Sequence, residues 1–152
     1  MATAVRKRRK ISGVIGNQEG IMVQTKTKAG RPQKTRFGLT KTQWENAKAQ
    51  AFAVLQEVAH RRGLITYGDL ARRITAYPLE AHNFALHWII GELSKDEYAN
   101  NRGMISALVV HKYGDMEPGG GFYDLAHDLG IKTRDRLVLW VEEVKKVHAV
   151  WQ

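Results

Sequence analysis

Apolar positions along this chain fall into segments of different period, and each period predicts an element. From 20 to 39 two short alternating runs, IMVQTKTK and QKTRFGLT, flank AGRP. A period of two predicts a pair of strands with Gly30-Arg31-Pro32 near their connection. From 42 the period changes. Thr42 and Glu45 have the spacing of a capping box, and Trp44, Ala47, Ala51, Phe52, Leu55, Val58 and Ala59 then recur at helical spacing, with Gly63 placed to end the helix. Leu64 and Ile65 predict a short strand. Thr66 caps a brief helix with Asp69 in its first turn and Leu70, Ala71 and Ile74 facing inward.

Pro78 suits the first turn of a further helix over 79–94, rich in large apolar groups (Leu79, Phe84, Leu86, Trp88, Ile89, Ile90, Leu93). Ser94-Lys-Asp-Glu97 has the form of a cap for one more turn. MISALVVHKY, 104–113, is the strongest strand signal, broken by GDMEPGGG. FYDLAHDL predicts a short helix closed by Gly130, and Leu137, Trp140, Val141, Val144, Val147, His148 and Trp151 predict a final helix. The sum is an α+β fold, predominantly helical, with no internal repeat. Its expected parts are a disordered basic tail (1–10), a basic β-hairpin arm (11–41) and a globular domain (42–152).

Charge sharpens this division. The chain has 152 residues and a formal net charge of +9. Residues 1–42 hold eleven Lys/Arg against one acid, Glu19, while residues 43–152 hold 13 bases and 14 acids. All excess basicity therefore lies in the arm, an arrangement that favours a polyanionic partner. Arg6, Lys7, Arg8, Arg9, Lys10, Lys26, Lys28, Gly30, Arg31, Lys34 and Arg36 are the expected nucleic-acid contacts. If about six of the bases meet phosphates, log affinity falls with log salt at a slope near −5. Acidic membrane surfaces fit less well, because the arm has no amphipathic apolar face.

Other chemistry is thinly represented. The absence of cysteine excludes disulfides, thiolate metal sites and cysteine nucleophiles, and fits the cytoplasm, at the nucleoid or in an infected host cell. No apolar run is long enough to predict a membrane span or a secretory leader. His82 and His87 lie five apart, off one helical face, and His60, His111, His127 and His148 fall on separate elements, so no metal or cofactor is expected. Glu143-Val-Lys145 sits in a helical pattern and reads as a solvated face. Gly119-Gly120-Gly121 reads as a turn that seats Phe122 and Tyr123 in the core, with phosphate binding by its backbone as the rival.

Three resemblances follow from these residues. Gly30-Arg31-Pro32 resembles the centre of an AT-hook, which implies an extended segment in an A/T-rich minor groove; here Ala29 stands where that family has its first arginine. ITYGDLARRI, followed by a helix and an apolar strand, has the order of a winged helix-turn-helix. It resembles the DNA-binding half of alkylguanine alkyltransferases and alkyltransferase-like proteins, on Thr66, Tyr67, Gly68, Asp69, Leu70 and Ala71. Without cysteine, alkyl transfer is ruled out; what the resemblance implies is a DNA-binding scaffold with a recognition helix at 79–94. Thr66, Tyr67, His82, Asn83 and Lys112 become contact candidates, with Glu80 and His87 as further exposed positions. A purely core role for so apolar a helix is the equal alternative. SALVVHKYGDMEPGGGFYDLA is similar to a motif of small uncharacterised bacterial or phage proteins and implies no activity.

These observations together predict a non-enzymatic DNA-binding protein, duplex DNA being the first partner and RNA the second. A protein-binding effector or inhibitor of phage type, docking through its near-neutral helical body, is the alternative. A nucleic-acid enzyme using scattered His, Asp and Glu residues is the third.

Overall fold

The computed structural model describes residues 36–152. The expected basic tail (1–10) and the Gly30-Arg31-Pro32 hairpin tip lie outside the described residues. Where the second arm strand was expected to finish, Arg36–Gly38 forms a 3-10 turn with Phe37 at φ 62°. Phe37 stacks on Trp44 at 6.2 Å, and Leu39 is fully buried.

Helix α1 spans Lys41–His60. Its capping box lies two residues earlier than the sequence suggested. Thr40 Oγ1 accepts the Gln43 N–H at 3.1 Å, and the Gln43 side chain returns the bond to the Thr40 N–H at 2.8 Å, a reciprocal cap worth about 1 kcal/mol. Its far end turns through Arg62 at φ 55°, and the Gly63 N–H closes on the Val58 carbonyl at 2.9 Å. Strand β1 (Ile65–Thr66) leads directly into helix α2 (Tyr67–Arg73), capped as expected by Thr66 Oγ1 on the Asp69 N–H.

The next helix is displaced from its expected place. Helix α3 spans Phe84–Ala99, not 79–94. The segment before it is held out of helix by side chains: Gln50 Oε1 accepts the N–H groups of Thr75 and Ala76, both at 2.9 Å, and Asn83 Oδ1 accepts that of Glu80 at 2.6 Å. Ser94 and Glu97 therefore cap nothing. They lie on the buried face of α3, where Arg102 grips Glu97 through two nitrogens at 2.7 Å.

The strongest strand signal also changes form. Ile105–Leu108 is a 3-10 turn, and strand β2 is only Val109–Val110, pairing in parallel with β1 in the register Ile65↔Val109 and Thr66↔Val110. Backbone groups that a strand would offer to a neighbour are taken by side chains instead. Glu143 accepts the Met104 N–H at 3.0 Å, Ser94 Oγ accepts that of Ser106 at 3.2 Å, and Trp140 Nε1 donates to the Ala107 carbonyl at 2.8 Å.

Helix α4 (Gly120–Asp128) closes through Gly130 at φ 85°, and helix α5 (Arg136–Val150) starts on an Asp135 cap. The inward face of α5 is in part the expected one, with Val147 buried and Trp140, Val144 and Trp151 packed against the cores. Leu139, Glu143 and Val147 are buried, while Leu137 and Val141 are exposed. Glu143 is thus no solvated residue: it is 2% exposed and bound to Met104 and to Lys146 Nζ at 2.9 Å. The main core joins α1, α2 and α3 to β1 and β2 through Leu55, Leu70, Leu86, Ile89 and Leu108. A second cluster joins Met104 and Ala107 to Phe122, Tyr123 and Ala126 of α4 and Leu139 of α5. Each fully buried large aliphatic side chain contributes about 1.5–3 kcal/mol. The described chain is predominantly helical, five α-helices around one two-stranded parallel ribbon.

Candidate functional site

The parallel ribbon brings two distant segments side by side, because Thr66 opposite Val110 places Tyr67 next to His111. Tyr67 is the hub. Its ring stacks on His87 of α3 at 4.8 Å and 25°, and tilts against His111 at 5.0 Å and 42°. Its hydroxyl oxygen accepts the Gly119 N–H at 2.9 Å. Burial raises the phenol above its ordinary pKa, with the Gly119 bond pulling the other way. A Cβ on Gly119 would stand 3.2 Å from both Tyr67 Oη and His111 Nε2, so the glycine admits this close approach.

His87 is oriented as well. Its Nε2 lies 3.0 Å from the Ala81 carbonyl. A carbonyl only accepts, so Nε2 carries the proton and Nδ1 is left for other partners. Beside these rings opens a groove of about 710 Å³. It is lined by the bases Arg72 and Lys112, by the imidazoles of His82, His87 and His111, and by the rings of Tyr67, Phe84 and Tyr113. None of the lining residues is a carboxylate. Two of the lining residues have acidic partners: Asp69 is bonded to Arg72, and Glu80 lies 3.4 Å from His82. Lys112 Nζ sits 5.6 Å over the Tyr113 ring, a placement that holds the ammonium beside an aromatic face.

Of the residues expected from sequence as contacts, Thr66, Tyr67, His82 and Lys112 come together here. Asn83 does not line the groove; its side-chain oxygen is engaged by Glu80. Phe84, His111, Tyr113 and Arg72 were missed. Phe84, counted among the apolar residues of the helix, is 74% exposed, and Tyr113 is 79% exposed. The face was legible in the spacing wherever the helix starts, since Phe84 with His87 and Trp88, those two with Gly91, and Gly91 with Lys95 are three or four residues apart. A purely core role for this helix does not hold: Leu86, Ile89, Ile90 and Leu93 pack inward, while Phe84 and Trp88 are exposed.

Gly119 takes the N-cap position of α4, and Phe122 and Tyr123 are buried behind it, as the turn reading expected. Among the described residues no group of three or more His, Asp or Glu side chains is placed to hold a metal ion, and no helix is long and apolar enough to cross a membrane. Comparison of the chain with protein-family models, curated proteins and solved structures gives no match.

Proposed function

We propose that the protein binds nucleic acid without acting on it, through the basic N-terminal segment for affinity and the Tyr67–His111 groove for placement. The observation that carries this reading is the composition of the groove. Cations and open aromatic rings line it together, and no carboxylate does. Such a surface suits a chain of phosphates carrying flat bases, because cations meet the backbone while rings accept stacked bases. The helix–helix–strand order of a winged helix would present α3 beside the groove, with duplex DNA as the first partner to try.

Fluorescence anisotropy with labelled duplex DNA, single-stranded DNA and RNA, titrated against salt, tests the proposal. Removing residues 1–35 should flatten the salt slope and weaken all three ligands. Phe84→Ala and Tyr113→Ala should weaken whichever ligand offers stacked bases by about 1–3 kcal/mol per base lost, leaving the slope unchanged. Lys112→Ala should reduce the slope by about one phosphate contact. Unchanged affinity in all three groove variants would overturn the groove as the site, and an unweakened truncation would overturn the role of the basic segment. Loss of intact substrate with or without divalent metal would overturn the non-enzymatic part.

A further inference from the structure

Tyr67, Phe84 and His87 also form the end wall of a second cleft, of about 310 Å³, between α3 and α4. It runs along α3 from Phe84 to Lys95, roughly 17 Å of helix at 1.5 Å per residue. Its lining is mostly apolar, with Trp88 and Ile90 from α3 facing Phe122 and Leu125 from α4. Gly91 and Gly121 lie in it as well.

Those glycines are informative. Gly91 is the eighth residue of a sixteen-residue helix, a position where glycine weakens a helix relative to alanine. Among the described residues, a Cβ built on Gly91 or on Gly121 meets no heavy atom within 4 Å. Packing within the fold therefore gives no reason for either glycine. What their missing side chains do provide is depth, a place where an incoming group reaches the α3 backbone.

The rim has the opposite charge to the groove on the other side of Tyr67. Asp124 and Asp128, one helical turn apart on α4, are exposed at the edge of the cleft. Glu92 also lines it, bonded to Trp44 and Lys48, and Lys95 is its one base beyond the shared His87. A phosphate backbone is disfavoured here, and an apolar group flanked by cations is favoured. The length of the cleft exceeds that of a simple amine and matches an amphipathic helix with anchors about one turn apart.

We propose that the α3–α4 cleft docks a basic amphipathic segment of a partner protein. An apolar side chain enters between Gly91 and Gly121, and flanking Lys or Arg side chains meet Asp124 and Asp128. This proposal does not rest on the nucleic-acid reading: Phe84 and His87 are shared with the groove, but the docking contacts it needs, from Trp88 to Lys95 on α3 and at Asp124 and Asp128 on α4, do not line that groove.

The test is NMR on the ¹⁵N-labelled full chain with two helical dodecapeptides as probes, acetyl-KLLKKLLKKLLK-amide and its counterpart with glutamate in place of lysine. The lysine peptide should shift the Gly91, Gly121 and Trp88 indole signals in a saturable way, and the glutamate peptide should leave them in place. Asp124→Lys with Asp128→Lys should weaken binding at least tenfold. Gly91→Leu should abolish it while the melting temperature stays level or rises, with Gly91→Ala as the milder second variant. Equal binding of the two peptides, full binding to both Gly91 variants, or shifts confined to other surfaces would overturn the proposal. Displacement of the peptide by an oligonucleotide at these same signals would overturn it too, by making the cleft an extension of the nucleic-acid groove.

Discussion

Glu143→Ala is the substitution whose cost the structure fixes most tightly. The carboxylate is 2% exposed and accepts the buried Met104 N–H at 3.0 Å, while its other oxygen meets Lys146 Nζ at 2.9 Å. Alanine leaves the Met104 donor buried without a partner, which costs about 1–3 kcal/mol. The Lys146 end adds less than about 1 kcal/mol, because that side chain is largely in solvent and its charge is screened. A total loss of about 1–4 kcal/mol is expected. Glu143→Gln keeps an acceptor for Met104 and should cost only about 1 kcal/mol. Lys146, held above its ordinary pKa chiefly by Glu143, should return toward the usual lysine value in both variants. Urea unfolding at neutral pH, followed by far-ultraviolet circular dichroism, gives the two numbers directly. A loss below 1 kcal/mol for alanine, or equal losses for alanine and glutamine, would refute the assignment of Met104 as the partner that matters.

Two further outcomes are expected. Burial, followed by the bond its hydroxyl donates to Glu117 at 2.9 Å, pushes the Tyr123 phenol up to about 12. The unfolded phenol titrates near 10, so this stabilisation is complete below pH 10 and drains away as pH rises toward about 12. Tyr123→Phe should flatten the alkaline loss across that window, and parallel urea curves for both proteins from pH 9 to 11 would count against it. Ser94 and Ser106 share a buried hydroxyl pair at 2.7 Å, and Ser94 Oγ also serves the Ser106 N–H. Ser94→Ala should therefore cost about 1–3 kcal/mol and exceed Ser106→Ala; the reverse order in denaturant titrations would contradict the bonding pattern.

What the sequence revealed depends on how local the cause was. The α2 cap is a matter of three residues, and Thr66 and Asp69 announced it. The stripe on α1 was legible because one face of a long helix meets one core. Failures came where a distant side chain decides the local form. Glu143 with Trp140 diverts 104–108 from strand geometry, while at the misplaced start of α3 the Glu80 N–H goes to the Asn83 side chain. Period alone put Leu137 and Val141 inside α5, and it could not show that Glu143 is buried on that face with the Met104 N–H as its partner. The groove was half visible. Tyr67 and His82 were singled out, but His111 joins them only through the β1–β2 register, which no spacing along the chain encodes.

The partners of 104–110 also bear on how the chain is made. Ser94 lies before this segment, but Glu143 and Trp140 lie more than thirty residues after it. A nascent chain that has reached Leu129 therefore holds this segment with the partners of the Met104 N–H and the Ala107 carbonyl still unsynthesised. That stretch is apolar, β-prone and uncharged, the kind of segment on which unfinished chains associate. Emergence of α5 is then the step that hides it, and a chain stalled before Arg136 should be a substrate for chaperones and proteases, whereas the finished one is not.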